Sequence, residues 1–201
     1  ERWILALKEA SPLDLQGMPN VIARLKAVSE FRGKSQRGST LAIANQPTRF
    51  NVELFPSSPF LVVPEVSSER RDYVPIGWLE PPTIPSNLVR VVPDATSFDF
   101  GILTSRTHMA WLRHIGGRLE SRFRYSIGLV YNTFPWPGAT EAQRAKIAAL
   151  AEAVLTARAS HPTASLAQLY DPLTMPADLR AAHTALDRAV DRLYRAEPFG
   201  S

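Results

Sequence analysis

Apolar positions recur at helical spacing in the first part of the chain. Ser11 and Asp14 are spaced as a helix cap, and the residues after Pro19 place one apolar stripe along a helix, at Val21, Ile22, Leu25, Val28 and Phe31. Gly33 and Gly38 are predicted to end this helix, because glycine favours helix C-termini. The sequence GKSQRGS, which contains both glycines, is predicted to be a mobile basic loop.

The spacing changes from helical to strand-like between residues 48 and 103. Short β-branched or aromatic runs are separated there by Pro, Ser, Asn and Asp, which is typical of strands and turns. The predicted strands lie within RFNVELF, PFLVVPEV, DYVPIGWL, NLVRVVP and SFDFGIL. Prolines inside several runs indicate edge strands and bulges, because proline cannot donate to a sheet. This region is therefore predicted to form an irregular antiparallel sheet.

Residues 104–123 return to helical spacing, with Thr104 or Ser105 as the N-cap. One face of this helix is apolar, and Arg106 and Arg113 fall together on roughly the opposite face. Two consecutive glycines weaken the prediction for its second half, since glycine is a poor helix former.

The last third of the chain has helical spacing and follows the turn sequence PWPG. Thr140 and Gln143 form a capping box, and Met175-Pro176 opens a final helix. The turn divides the chain into two predicted domains, residues 1–137 and residues 138–201. The predicted fold class is α+β, with an irregular antiparallel-sheet domain flanked by helices, followed by a small C-terminal helical bundle.

Charge is distributed unevenly over these two domains. The chain carries 23 Lys and Arg against 19 Asp and Glu, a net charge of +4. Residues 1–137 hold 16 against 12 and residues 138–201 hold 7 against 7, so the whole excess lies in the first domain. Within it, residues 24–49 have a local charge of +5 and residues 105–125 a local charge of +4. Two basic segments indicate a polyanionic partner, although most basic patches are merely solvated.

Several classes of protein are disfavoured by what the sequence lacks. It has no cysteine, which removes disulfides and thiolate metal sites and fits a reducing cytoplasm. No apolar run approaches the ~20 residues of a membrane span, and no signal-peptide pattern opens the chain. Because the chain starts at Glu1 with sequence typical of a folded region, we expect it to be a piece of a longer polypeptide.

Catalytic and metal-binding motifs are also missing from the sequence. No glycine-rich phosphate loop follows a predicted strand, and no nucleophile-elbow sequence frames a serine. The four histidines are scattered, and the spacing of His108 and His114 is a poor match to a metal site. We therefore predict no catalytic residue and no metal ligand, and expect a binding module rather than an autonomous enzyme.

Arginines beside aromatic residues are the remaining candidates for chemistry, above all in VSSERRDYVPIGW, residues 66–78. This stretch begins and ends like a strand, so its middle is predicted to be a hairpin turn that carries Arg70 and Arg71. A guanidinium pairs with phosphate or with the guanine O6/N7 edge, and the hydroxyls of Ser67 and Ser68 can donate to phosphate. The structural alternative is a solvated turn with a surface ion pair.

Glu69 has two candidate roles in the same turn. Phosphate repels a carboxylate, so Glu69 would instead accept a hydrogen bond from a cytosine amino group, or orient Arg70 or Arg71 through a salt bridge. The salt bridge is the commoner of the two arrangements in proteins.

Three long blocks of the sequence resemble the C-terminal part of MmeI-like enzymes, which are single-chain type IIL restriction–modification proteins. The blocks are FLVVPEVSSERRDYVPIGWL, SNLVRVVPDATSFDFGILTSRTHMAWLRHIGGRLESRFRYSIGLVYNTFPWP and LAQLYDPLTMPADLRAAHTALDRAVDRLYR. The resemblance runs through the whole chain in order, from RWILAL onward. It implies that residues 1–137 are a target-recognition domain and that residues 138–201 are the C-terminal helical domain of the family.

The resemblance also implies a function and partners. In this family one bacterial cytoplasmic polypeptide joins a nuclease, a helical connector, an adenine-N6 methyltransferase and these two domains. The catalytic motifs have no counterpart here, so S-adenosylmethionine and Mg are expected upstream in the parent chain, and no cofactor is expected in this part. The implied function is sequence-specific recognition of double-stranded DNA, next to the methyltransferase domain of the same polypeptide and without a membrane.

Candidate DNA-contacting residues follow from the arginine clusters and from this resemblance. The matching blocks are expected to hold the phosphate backbone, because chains that read different sequences share a backbone. The backbone candidates are Ser67, Ser68, Arg70, Arg71, Arg106, Arg113, Arg122, Arg124, Tyr125, Lys34 and Arg37. The candidates for base specificity are Arg49, Asn51, Glu69, Asn87, Arg90 and Ser97. Arg90 is explained equally well as the solvent-facing residue of a strand.

Two other functions remain open from the sequence. The chain could mainly act as a scaffold that docks its apolar helix faces on the methyltransferase domain, with incidental basic segments. The amphipathic C-terminal helices and the zero net charge of residues 138–201 favour this role for the second domain. RNA binding through the FRYS sequence rests on composition alone.

Overall fold

The computed structural model describes residues 3–197 of the chain. Its contacts divide the chain into two units, Glu1–Leu54 and Phe55–Ser201. The predicted domain boundary between residues 137 and 138 falls inside the second unit and stays a prediction.

Helices form the secondary structure of the first unit over its described residues. They are α1 (Pro12–Gln16), α2 (Pro19–Gly33) and α3 (Gly38–Leu41). The predicted cap is confirmed, because Ser11 Oγ accepts from the backbone N–H of Asp14 and the Asp14 carboxylate accepts from that of Ser11. Helix α2 ends at Gly33 as predicted. Gly38 begins α3 instead of lying in a loop, so the basic loop is shorter than predicted.

The segment after α3 folds back along α2. The guanidinium of Arg32 donates to the carbonyl oxygens of Ile43, Gln46 and Arg49 at 3.4, 3.0 and 2.8 Å. These three bonds make Arg32 a structural residue of the first unit. One charge of the basic segment 24–49 therefore holds the fold.

The RFNVELF run, residues 49–55, was predicted to be a strand, and this prediction is wrong. The guanidinium of Arg49 donates two hydrogen bonds, each of 3.0 Å, to the carboxylate of Glu53. The run takes part in neither sheet, and its backbone is irregular.

Two antiparallel sheets, rather than one, lie in the described part of the second unit. The strands are β1 (Phe60–Pro64), β2 (Val66–Ser67), β3 (Gly77–Leu79), β4 (Val89–Val92), β5 (Gly117–Leu119) and β6 (Arg122–Arg124). Their order is β3-β1-β4 in one sheet and β2-β6-β5 in the other. Leu61 at the centre of the first sheet lies opposite Trp78 and Val92. Glu65 is the one residue between β1 and β2, so the chain passes from one sheet to the other there.

The SFDFGIL run was predicted to be a strand and is instead helix α4 (Ser97–Leu103). Thr96 and Asp99 form a capping box, in which the Asp99 carboxylate accepts from the Thr96 backbone N–H at 2.8 Å. The helix is buried on most of its circumference. A helix buried on most sides has no clear apolar stripe, which is why its period was missed.

Helix α5 (Arg106–Ile115) begins as predicted and ends earlier. Ser105 Oγ accepts from the backbone N–H of His108, so the N-cap is confirmed. The predicted second half of the helix is wrong, since residues 117–124 form the β5–β6 hairpin. The chain turns at Gly116, where an added Cβ would lie 2.5 Å from the carbonyl oxygen of Leu112.

The remaining elements of the second unit are helical. They are a π-helical turn (Ile127–Tyr131), α6 (Glu141–Ala159), α7 (Leu166–Leu169) and α8 (Ala177–Tyr194). The predicted capping box of Thr140 and Gln143 is confirmed. Helices α6 and α8 pack against each other and against α4. Their buried side chains belong to the same core as those of the sheet region, including Leu61, Phe100, Leu112, Ile147, Val154 and Leu186.

The contact between α4 and α6 is close at Gly101. A Cβ added there would lie 2.8 Å from Cγ2 of Ile147 and 3.2 Å from Cβ of Ala151. A side chain at this position would push the two helices apart. The C-terminal helices are thus packed directly on the residues that precede the PWPG turn.

Candidate functional site

The two strands that flank residues 68–72, called here the arginine segment, belong to different sheets. Strand β2 pairs with β6, with Ser67 opposite Phe123, whereas β3 pairs with β1. The predicted hairpin turn at SSERR is therefore wrong. The arginine segment runs from one sheet to Tyr73 without a strand partner of its own.

Contacts from α5 and α8 hold the arginine segment. The guanidinium of Arg113 donates to the carbonyl oxygen of Arg71 at 3.5 Å and lies 4.0 Å from the Asp72 carboxylate. From α8, the Arg180 guanidinium lies 3.7 Å from the same carboxylate. The side chain of Arg70 is exposed. Asp72 is thus shared by two helices, and Arg70 stays accessible to a ligand.

Tyr73 anchors the end of the arginine segment in the core. Its hydroxyl donates to Oδ2 of Asp187 on α8 at 2.7 Å. Oδ1 of Asp187 accepts from the backbone N–H of Arg106, the first residue of α5, at 2.7 Å. Burial raises the pKa of Asp187, and the hydrogen bonds from Arg106 and Tyr73 act in the opposite direction. The buried carboxylate of Asp187 therefore contacts both the residue that ends the arginine segment and the start of α5.

A buried polar cluster continues from Tyr73 into the C-terminal helices. The ring of His183 stacks on that of Tyr73, with 4.0 Å between centroids, and its Nε2 lies 2.7 Å from the Tyr170 hydroxyl. Arg158 donates to the Tyr170 hydroxyl at 2.8 Å and to the Ile76 carbonyl oxygen at 2.7 Å. Burial lowers the pKa of His183 to about 3, helped by the charge of Arg158. His183 is therefore neutral at pH 7.

Glu65 organises two surface arginines and was not selected from the sequence. Its Oε2 lies 2.9 Å from Nη2 of Arg90 on β4, and its Oε1 lies 3.3 Å from Nη2 of Arg124 on β6. This carboxylate thereby links the two sheets. The organising salt bridge was predicted for Glu69 instead, but over residues 3–197 the structure contains no ion pair of Glu69.

The β5–β6 hairpin carries arginines that make short-range contacts. Nη2 of Arg122 lies 2.8 Å from the Glu120 carboxylate, and the guanidinium of Arg118 lies 4.0 Å from the centroid of the Phe123 ring. Glu120 has a left-handed φ of 57°, which closes the turn. The arginine side chains of the hairpin are exposed, so an anion can reach them.

Two predicted DNA-contacting residues, Ser67 and Tyr125, are buried. Their exposed fractions are 4% and 2%. The Tyr125 hydroxyl lies 3.0 Å from Nε2 of His108. Burial raises the pKa of Tyr125 and lowers that of His108 to about 3. Both side chains are enclosed in the fold, and their contact with DNA stays a prediction.

Four of the predicted residues lie in the first unit. Lys34 and Arg37 are exposed on either side of the short loop before α3. Arg49 is engaged by Glu53, and Asn51 is exposed in the irregular run that follows. The structure therefore keeps Lys34, Arg37 and Asn51 accessible, while Arg49 has a structural partner.

The remaining specificity candidates lie in the second unit. Asn87 is exposed just before β4, the strand that carries Arg90. The hydroxyl of Ser97 donates to the carboxylate of Glu152 on α6. Asn87 thus lies just before the strand that carries Arg90, whereas Ser97 contacts a C-terminal helix.

Exposed guanidinium groups on a fixed backbone are suited to binding phosphate or base edges. Among residues 3–197 there is no group of three or more His, Asp or Glu side chains placed to hold a metal ion. In the same described part of the chain, no helix is both long enough and apolar enough to cross a membrane. The exposed guanidinium groups of this surface can pair with an anion.

Comparison with known proteins gives matches along the whole chain. The family model described as MmeI, target recognition domain, matches residues 1–138, and the one described as MmeI, C-terminal domain, matches residues 139–201. DNA methyltransferase A of Bacillus subtilis (strain 168) is 38% identical over 200 residues, which are 100% of this chain and 23% of that protein.

A solved structure, that of the type IIL restriction–modification enzyme MmeI in complex with DNA, is similar over 99% of this chain and 27% of that one. The TM-score is 0.96 and the sequence identity is 45%. The chain thus spans about a quarter of the length of these relatives.

The fold and these matches show a target recognition domain joined to a C-terminal domain. The chain belongs to the MmeI family. The resemblance stated from the sequence is confirmed, and so is the α+β fold class.

Proposed function

We propose that this chain recognises double-stranded DNA sequence-specifically, as the recognition module of a type IIL restriction–modification protein that methylates adenine N6 and cleaves DNA. The observation that carries the proposal is the set of exposed arginines of the second unit, Arg70, Arg106, Arg113, Arg122 and Arg124. It is supported by membership of a family in which a solved member, MmeI, was in complex with DNA.

The arginine segment and the first turns of α5 are proposed to hold the phosphate backbone. Arg70, Arg106 and Arg113 are exposed and belong to neighbouring elements. Arginine binds phosphate through two parallel hydrogen bonds, which fixes orientation as well as adding affinity. Ser68 and Arg71 contribute at the same place, and in the first unit Lys34 and Arg37 are further phosphate candidates.

Base reading is proposed for Asn87 and Arg90. The guanidinium of Arg90 is held by Glu65 at 2.9 Å and is one-third exposed, so its orientation is set before a ligand arrives. Asparagine pairs with adenine and arginine with guanine through two hydrogen bonds. Asn51 and Glu69 remain candidates because they are exposed. Arg49 and Ser97 are weaker candidates, since Arg49 pairs with Glu53 and Ser97 donates a hydrogen bond to Glu152.

The chain itself is proposed to be non-catalytic. S-adenosylmethionine, Mg and both reactions then belong to the rest of a bacterial cytoplasmic polypeptide. About three quarters of the length of the matched proteins lies outside the part that this chain matches. A domain boundary between residues 137 and 138 is part of the same proposal.

Contact with the methyltransferase domain is proposed for the first unit. Leu13 and Phe31 are 76% and 75% exposed, and α2 has no buried residue. A helix with no enclosed side chain favours a protein partner that covers its apolar positions. Burial of these residues in the full-length protein would give the unit the core that it lacks alone.

Salt-dependent binding of the full-length protein to a mixed-sequence duplex tests the proposal. Log K should fall steeply with log salt, and the Arg70→Ala/Arg71→Ala double variant should reduce the slope by about 2. Arg188→Ala, an exposed arginine on α8, is the matched control and should leave the slope unchanged. Absence of binding at low salt, or binding that salt does not change, would contradict the proposal.

Selection of bound sites from a random pool separates backbone from base contacts. Asn87→Ala and Arg90→Ala should change the preferred sequence at defined positions. Arg70→Ala should weaken binding to all sequences alike and keep the consensus. A changed consensus from Arg70→Ala would refute its assignment to the backbone.

A further inference from the structure

Helix α8 contacts the arginine-bearing surface through a carboxylate that is 3% exposed. Asp187 accepts one hydrogen bond from Tyr73, directly after the arginine segment, and one from the backbone of Arg106, the first residue of α5, both at 2.7 Å. These are the two elements that carry the proposed phosphate contacts. Asp187 itself is enclosed, and its Oδ2 also lies 3.7 Å from Nε of the exposed Arg106 side chain.

We infer that Asp187 is a positioning residue for DNA binding, which holds the arginine segment and the start of α5 in one fixed relation. The inference rests on the proposed function, since it assumes that the arginines of these elements bind DNA. The inference extends the proposed function by assigning a role in recognition to the C-terminal helix α8.

Other contacts of the arginine segment are too weak to fix it. The ion pairs of Asp72 with Arg113 and Arg180 span 4.0 and 3.7 Å, and all three side chains are at least 40% exposed. Exposed ion pairs contribute little to stability, because water screens them. The segment also has no strand partner, so the buried bond between Tyr73 and Asp187 is the firm attachment at its end.

A second carboxylate on the same face of α8 points to the same role. Asp191, four residues after Asp187, accepts from the hydroxyl of Thr107 at 2.8 Å. Both carboxylates therefore lie against the first turn of α5, where the helix dipole favours negative charge. The start of α5 is thus attached to α8 by a backbone bond at Arg106 and a side-chain bond at Thr107.

The test is a double-mutant cycle in the full-length protein, with binding to a mixed-sequence duplex at low salt as the readout. Arg70→Ala in the wild-type background should weaken binding about tenfold, as expected for loss of a charged hydrogen bond. Asp187→Asn should weaken it by a similar factor. Adding Arg70→Ala to Asp187→Asn should then change binding less than twofold, because Arg70 is already displaced.

Asp178→Asn on the same helix is the matched control. Asp178 is exposed and pairs with His161, far along α8 from Asp187. Its variant should bind as wild type, and Arg70→Ala should cost the full tenfold in that background. Simple destabilisation would lower the amount of folded protein without removing the effect of Arg70, so non-additivity separates positioning from stability.

Each outcome decides the inference. Additive effects of Asp187→Asn and Arg70→Ala would overturn it. If Asp187→Asn does not fold, Tyr73→Phe removes the same hydrogen bond from the other side and the cycle is repeated with it. Amide hydrogen exchange of residues 68–72 in the free protein should be at least tenfold faster in Tyr73→Phe than in wild type, and unchanged exchange would also overturn the inference.

If the proposed function itself is wrong, the wild-type protein does not bind the duplex at all. The exchange measurement still decides whether Asp187 and Tyr73 hold the arginine segment, since it needs no ligand.

Discussion

The arginine segment and the β5–β6 hairpin both carry arginines but are held in different ways. The hairpin backbone is fixed by strand pairing, with β6 between β2 and β5. Its arginines add surface contacts to Glu65 and Glu120. The arginine segment has no strand pairing, and its end is fixed by the buried bond between Tyr73 and Asp187.

Because the two regions are held differently, substitutions should affect them to different degrees. In a strand, the ladder positions the side chain, and a neighbouring charge only refines it. In a segment without a ladder, a distant buried residue has to do the positioning. Buried hydrogen bonds to a charged group contribute about 1.5–3 kcal/mol, whereas exposed ion pairs contribute under about 1 kcal/mol. Substitution of the buried residues that hold the end of the arginine segment should therefore have a larger effect than substitution of surface residues on the hairpin.

Arg158→Ala should have the largest effect on stability. It leaves the Ile76 carbonyl and the Tyr170 hydroxyl without the donor that they have now, which costs about 3 kcal/mol. Urea unfolding followed by circular dichroism measures this loss. Arg144→Ala is the control, because the Arg144 guanidinium lies over the Phe98 ring from an exposed position on α6. A loss below about 1 kcal/mol for Arg158→Ala would contradict the role of the buried cluster.

Acid should weaken the support of the arginine segment through His183. Its pKa is lowered to about 3 in the fold from an ordinary value of 6.5. The unfolded chain therefore binds the proton more readily, and the stabilising contribution is lost as pH falls below 6.5. Between pH 7 and pH 5 this amounts to about 2 kcal/mol.

The His183→Phe variant isolates this contribution, because it keeps a ring beside Tyr73 and removes the titration. The free energy of unfolding should depend on pH less steeply in the variant than in wild type. Asp187, whose pKa is raised, acts in the opposite direction above pH 3.8, and it does so in both proteins. Equal pH dependence in the two proteins would refute the assignment.

Gly116→Ala should have an intermediate effect, at the point where the hairpin leaves α5. The new Cβ would lie 2.5 Å from the Leu112 carbonyl oxygen, a backbone atom that cannot move away easily. We expect a loss of about 1–3 kcal/mol in thermal or urea unfolding. At Gly128 nothing lies within 4 Å of an added Cβ, so Gly128→Ala is the matched control. Equal stability of the two variants would show that the turn tolerates a side chain.

Glu65→Gln should have the smallest effect on stability. It removes the charge that pairs with Arg90 and Arg124, both partly exposed, at a cost under about 1 kcal/mol. Because the strand ladder remains, the hairpin should keep its structure. A loss of several kcal/mol would show that this pair, and not the ladder, holds the two sheets together.

Sequence patterns predicted the elements with local signals and missed those that depend on distant partners. The caps at Ser11, Ser105 and Thr140 lie within three residues of their acceptors or donors, so spacing was sufficient. Strand pairing failed at SSERR because β2 pairs with β6, which lies more than fifty residues later. Helix α4 was missed because its burial hides the helical period.

The candidate site shows the same limit. Composition and resemblance selected the arginines, and most of them are exposed in the structure. The carboxylates that organise them, Glu65 and Asp187, were not selected, because their partners lie far away in sequence. Ser67 and Tyr125 were expected to be accessible because they are polar, but the fold encloses both side chains.

Amide hydrogen exchange of the full-length protein, with and without a saturating duplex, shows whether these arginines form the DNA-binding surface. We expect DNA to slow exchange in residues 68–72 and in residues 117–124, while the exposed face of α6 exchanges as in the free protein. Saturating DNA that leaves both regions unchanged would contradict the claim that these arginines form the DNA-binding surface.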